Sequence, residues 1–346
     1  MKPREFIASS QFRWNLIFAG LIIGLFVSIV FALGIGSTRI HPLLIARMLI
    51  SKVVRIHNDW PAYLEAIVIG VRLPRILLGV LVGGALGIAG CSMQALFRNP
   101  MASPYTTGVA SGSAFGASLA VVLGLGTIWI GPLAFLFAVA TSFLVYFIAK
   151  VGGRIPVGNL LLSGIAISLF FSAMVSFTQY IAGERELRQI VFWLMGGLWQ
   201  SNWNKVITSL PLVFFGSMGI SFFSRDLNVL LIGEDEAQNL GVEVKEVRKV
   251  VLILASLLTA GAVATCGIIG FVGLIIPHIM RILVGPNHRV LLPSSFLGGA
   301  IFLIWTDTLA RRIIAPAELP VGIITAILGV PFFLFLIRRR KKQIGL

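Results

Sequence analysis

Residues 71–98 read VRLPRILLGVLVGGALGIAGCSMQALFR: two arginines, Arg72 and Arg75, followed by a run without charge as far as Leu96. An α-helix needs about 20 apolar residues to cross the hydrocarbon core of a bilayer, and this run supplies them. Its glycines, dense from Gly79 to Gly90, let neighbouring helices approach closely. They do not form a nucleotide fingerprint. Two cations at the mouth of such a run serve either as membrane anchors or as a grip on something else.

The rest of the chain is of the same kind. Of 346 residues, 57% are hydrophobic and 12% charged, with a mean hydropathy of +0.97, more apolar surface than one soluble core can bury. The net charge of +15 would suggest nucleic acid in a soluble chain, but the cations lie between apolar runs and in the terminal RRRKK. Membrane topology explains them, and nucleic acid is not expected as a partner. Cys91 and Cys266 both fall inside apolar runs and read as small buried residues. There is no GxxxxGK[ST] phosphate loop, HExxH pair or GxSxG elbow, so any energy source is another chain or an ion gradient.

The expected fold is all-α, a polytopic membrane protein of about ten transmembrane helices forming a single domain over residues 1–346. The basic N-terminus is followed by an uncharged run, Trp14 to Gly36, too long for a signal-peptide core and read as a span. Further spans are Ile76 to Leu96, Ile155 to Ile181, Val206 to Phe223, Val290 to Ala310 and Val321 to Ile337. Tyr105 to Ala149 divides in two around GLGTIWIGP. Val250 to Leu283 is long for one crossing and short for two, with a break around Gly267 and Gly270. Two crossings make ten spans and put both basic ends on one side, the cytoplasmic side by the positive-inside tendency, with 17 basic residues inside and 11 outside. Arg72, Arg75, Arg311 and Arg312 then lie outside, against the trend.

Three segments face water in this reading. Residues 224–249 are cytoplasmic and hold six of the thirteen acids, Asp226, Glu234, Asp235, Glu236, Glu243 and Glu246. Two short helices are expected there, broken at Gly233 and ended at Gly241. Their apolar residues, Leu230, Leu231, Ile232, Leu240 and Val242, suit a partner-docking face better than a plain solvated loop. RELRQIVFWLMGGLWQSNW, rich in tryptophan, is expected as a short helix lying at the outer interface. The loop from Ser37 to Val71 is polar, and its His41 and His57 are read as loop residues rather than metal ligands. Asp307 is the one acid deep in a span, a functional candidate by default, although a pair with Arg311 four residues on is the simpler explanation.

An ordered series of motifs resembles a known family: RLPR, GALGIAGCSMQALFRNPMASP, GVASGS, LLLSGIAIS, WLMGGL, GEDEAQNLGV, GFVGLIIPHIMR, HRVLLP and AELPVGIITAILGVPFFLFLI. The series runs from about residue 70 to the end and resembles the FecCD-type permease subunits of ABC importers for iron chelates, haem and vitamin B12. The resemblance implies two permeases packed around a central pathway in the inner membrane, two separate ATP-binding cassette subunits and an extracytoplasmic substrate-binding protein. The permease itself would be no enzyme and hold no cofactor or metal. By the same resemblance Glu234, Asp235, Glu236, Ala237, Leu240 and Gly241 match the loop that sits in the ATPase cleft. Arg72, Arg75 and Arg311 match the arginines that meet acids on the binding protein, an exposed docking surface in this expectation. Val157, Gly158 and Asn159 match a cytoplasmic gate before the fifth helix, without the hydroxyl-bearing residues of the vitamin B12 importer.

A ferric siderophore ranks first as cargo, with haem, cobalamin and molybdate behind. The alternative is a gradient-driven secondary transporter using Asp307. A channel ranks last, because no charged filter ring is evident.

Overall fold

The computed structural model describes residues 3–36, 38, 40–51, 60–152 and 155–344. Among them the regular structure is helical: α1 (Pro3–Gly34), α2 (Pro42–Ile50), α3 (Ala62–Glu65), α4 (Leu73–Leu96), α5 (Val109–Val122), α6 (Thr127–Ala149), α7 (Val157–Ile181), α8 (Glu184–Leu194), α9 (Trp203–Phe222), α10 (Ser224–Leu230), α11 (Glu234–Asn239), α12 (Val244–Cys266), α13 (Val272–Val284), α14 (His288–Ala310) and α15 (Val321–Ile344). Seven stretches are long and apolar enough to cross a membrane, and three shorter apolar helices, Val109–Val122, Val272–Val284 and Val321–Leu336, fall at the remaining expected places.

Glycine sets most of the breaks. The α5–α6 turn carries Gly124 at φ 65° and Gly126 at φ 82°, left-handed values that a side chain rarely adopts. That break lies before Pro132, which sits inside α6. Gly267 at φ 72° ends α12, and Phe271 at φ 68° opens α13, so the long run from Val250 is two helices, broken around Gly267 and Gly270 as the sequence predicts.

α4 is the central column. Over Ala62–Leu96, 89% of the most apolar window is buried, against 22% for α7. Its glycines allow this. A Cβ on Gly83 would run into the carbonyl of Gly299 on α14, and one on Gly87 into that of Ser295. The two helices therefore pack backbone to backbone, where van der Waals contact supplies the attraction in lipid.

The Ser37 to Val71 segment differs from the polar loop expected. α3 passes through a π-helical turn, Ala66–Arg72, straight into α4, and Ile45, Met48, Trp60 and Val68 are buried with Ala32 and Leu33 of α1. This is a packed cap over one end of the bundle. Trp203 at the start of α9 donates to the Ile69 carbonyl in the π turn at 3.0 Å, which puts the α9 end at the same cap. His41 caps α2 by accepting from Leu43 N; His57 lies outside the described residues. Cys91 and Cys266 are buried free thiols.

Candidate functional site

Two clusters carry the charged chemistry, one at each end of the bundle. At the cap end, Arg75 on α4 donates to both oxygens of Asp307 on α14, with Nε at 3.1 Å from each and Nη2 at 2.9 Å from Oδ1. Its Nη1 reaches Glu318 before α15 at 2.9 Å. Arg311 Nε lies 3.2 Å from Asp307 Oδ2, while its Nη1 donates to the Ile35 carbonyl at 3.1 Å. Arg72 donates to the carbonyls of Leu33 and Thr38. Arg72 and Arg311 thus satisfy backbone carbonyls where α1 ends, which is where a helix favours cations.

The expectation that these three arginines are exposed is not met. Arg72 is 5% and Arg75 8% exposed, and the Arg311 side chain 8%. Burial pulls the Arg311 guanidinium down from its ordinary pKa, with the Asp307 carboxylate opposing that fall. Ions so desolvated need partners, and the fold supplies them from α1, α14 and the turn before α15. Asp307, 2% exposed, has the i to i+4 pair with Arg311 and a second, stronger grip from Arg75. Arg312 remains exposed on this face.

At the opposite end lie α10 and α11. Gly241 at φ 81° ends α11, with Gly241 N donating to Gln238 O and Val242 N to Ala237 O, both at 2.9 Å. That paired pattern is a glycine-closed helix end, as the sequence predicts. Asp235, Glu236, Leu240 and Gly241 are exposed, Leu240 by 60%, beside Ile232 at 64%. Glu234 is partly buried, and Ala237 is fully buried beneath the helix rather than on the face. Val157 and Asn159 are half-buried at the start of α7, and Gly158 is exposed.

One side chain joins these elements. Arg248 on α12 pairs with Glu234 Oε1 at 2.5 Å and donates from Nη1 to the Ile155 carbonyl, two residues before Val157, at 3.1 Å. A second clasp holds α10 to the α13–α14 turn: Asn228 Nδ2 donates to Asn287 Oδ1 at 2.9 Å, and His288 N donates to Asn228 Oδ1 at 2.8 Å. α10 and α11 are therefore bolted to three longer helices. Sequence reasoning missed Arg248, although a signal was present: it is a cation on the apolar stripe of Val244, Val247 and Val251. Among the described residues no three His, Cys, Asp or Glu side chains converge as a metal site.

Residues 21–339 match the FecCD transport family. The chain belongs to this family. It is a multi-pass membrane protein and an ABC-transporter permease. It is 48% identical over 282 residues to the cobalamin import system permease protein BtuC of Halobacterium salinarum, covering 81% of this chain and 76% of that one. It is 37% identical over 331 residues to the hemin transport system permease protein HmuU of Yersinia pestis, covering 93% and 97%. A solved chain of a metal-chelate type ABC transporter in an inward-facing conformation superposes with a TM-score of 0.84 at 37% identity, covering 94% of this permease and 99% of that chain. The permease motifs quoted from the sequence fall within the matched residues.

Proposed function

We propose that this permease carries a metal chelate inward across the cytoplasmic membrane, driven by ATP hydrolysed on separate subunits. Two permeases, identical or different, enclose the pathway. Two ATP-binding cassette subunits dock on Ile232, Asp235, Glu236, Leu240 and Gly241, and both termini are cytoplasmic. The observation that carries the reading is the Arg248 bridge between Glu234 and the Ile155 carbonyl. A push on α11 reaches the start of α7, where Val157, Gly158 and Asn159 stand as the cytoplasmic gate. The same push reaches α13 and α14 through Asn228. Coupling of this kind needs two packed arrangements that nucleotide binding biases, and rigid helices bolted to one moving element supply them.

α7 and α15 line the pathway in this reading. Both leave large apolar side chains uncovered, among them Leu162, Leu169 and Phe170 on α7 and Ile327, Leu334 and Phe335 on α15. A substrate-binding protein docks on the cap end. Arg72, Arg75 and Arg311 lie just beneath that face and fix its shape, while Arg312 and Glu318 meet water on it. Asp307, held by two arginines, supports a structural role and not gradient coupling.

The relatives named for cobalamin and hemin import favour a chelated metal as cargo, with a ferric siderophore to be tested beside them. The test is uptake by proteoliposomes containing the permease, its ATPase and its binding protein, offered cobalamin, haem and a ferric siderophore in turn. ATP-dependent uptake of one of them after proton and sodium gradients are collapsed is expected. Uptake that survives without ATP and stops with an ionophore would overturn the reading.

A further inference from the structure

A cavity of about 310 Å³ opens at the cap end between α8, the start of α9 and the end of α12. Arg185, Arg188 and Gln189 of α8 line it, with Trp199 and Gln200 from the following turn and Lys205 of α9. Arg185, Arg188, Gln189 and Phe192 fall at the i, i+3, i+4 and i+7 positions of α8, so one helix face turns into the recess. Glu184 and Glu186 of the same helix do not line it, and neither does any other carboxylate.

Among the described residues Arg185 and Arg188 have no hydrogen bond or ion pair, in contrast to every cation of the Arg75 network. Lys205 donates once, to the Thr265 carbonyl at 3.0 Å, and keeps two protons for another acceptor. Phe192 and Trp199 meet edge to face, centroids 6.3 Å apart, and wall one side. Three like charges around one recess repel each other, and no carboxylate among its lining residues offsets them. The space exceeds several waters at about 30 Å³ each.

We propose that this cavity is an anion site. It takes one oxyanion group, a phosphate or carboxylate, between Arg185, Arg188 and Lys205, with any organic substituent against Trp199. The guanidinium forks suit paired oxygens, and the ammonium adds a point charge. Two sources offer this chemistry: the phosphate of a phospholipid headgroup, and a soluble anion. The site stands apart from the ATPase-facing surface and from the Arg75 network, and it does not depend on the cargo.

The test is isothermal titration calorimetry on the purified full-length permease in a zwitterionic detergent. The probes are sodium phosphate, sodium citrate and short-chain phosphatidylglycerol. At least one should bind saturably, with its dissociation constant raised about tenfold or more by the double substitution R185Q/R188Q and also by K205M. Binding of phosphate or citrate assigns a soluble anion; binding of phosphatidylglycerol alone assigns a lipid headgroup. Wild-type affinity should also fall as sodium chloride is raised, a readout that needs no variant. No saturable binding of any probe, an unchanged constant in R185Q/R188Q, or binding indifferent to salt would overturn the proposal.

Discussion

Arg75 and Asp307, 232 positions apart in the chain, meet as a buried bidentate pair that joins α4 to α14. The pair ties the two helices together at the cap end. Removing the Asp307 carboxylate leaves Arg75 with Glu318 alone and leaves the buried Arg311 with neutral acceptors only, a broken buried ion pair that costs about 3–5 kcal/mol. Asp307→Asn, which leaves Arg75 and Arg311 facing each other, is therefore expected to lower the thermal stability of the purified protein sharply. Arg312→Gln, on the exposed neighbour, should shift it by no more than about 0.5 kcal/mol. Equal stability of the two variants would show that the network does not hold the fold.

Gly241 closes α11 in a left-handed conformation with no atom within 4 Å of where its Cβ would lie. Space is not the constraint; backbone is. A β-branched residue there costs about 1–2 kcal/mol in local conformation, whereas Asn tolerates the region. Gly241→Val should reduce uptake per ATP hydrolysed in the reconstituted transporter, and Gly241→Asn should retain most of it. Matching values for the two variants would separate the loop conformation from coupling.

Close approach of α4 and α14 makes Gly83 intolerant of any side chain, while Gly70 has open space around it. Gly83→Val is expected to abolish the monodisperse peak in size-exclusion chromatography, and Gly70→Ala to leave it in place. A folded Gly83→Val protein would contradict the backbone contact with Gly299.

Sidedness is checked by labelling. Leu187 on α8 is 37% exposed and Leu240 beyond α11 60%, while the native cysteines are buried and should not react. In intact cells an impermeant maleimide is expected to label Leu187→Cys, and to label Leu240→Cys only after lysis. The reverse pattern would invert the orientation.

The spans were legible because a crossing needs a long apolar window, and such windows stand out between Lys and Arg clusters. The Gly267 break and the Gly241 helix end were legible too, since glycine marks backbone that other residues avoid. The helical course of residues 62–72 was not, because its short apolar stretch is bounded by Glu65 and Arg72, punctuated by Gly70, and shows no run of its own. Nor was the burial of Arg72, Arg75 and Arg311. Their partners are Asp307, Glu318 and the carbonyls of Leu33, Thr38 and Ile35, and sequence spacing revealed only the pair of Asp307 with Arg311. The exposed mix of acidic and apolar side chains on residues 232–241 was legible in the sequence, but the anchoring of α10 and α11 was not. Arg248 and Asn228 make contacts 93 and 59 residues away, set by packing rather than by local pattern.

The central claim is that movement of α11 reaches the gate through Arg248. The direct measurement is cargo taken up per ATP hydrolysed by proteoliposomes carrying Arg248→Met, with Arg248→Lys as the charge-retaining comparison. The account predicts hydrolysis within about twofold of wild type and a loss of about tenfold or more in uptake per ATP for Arg248→Met, in the range of ordinary coupling energies, with partial recovery in Arg248→Lys. An unchanged ratio in Arg248→Met would contradict it.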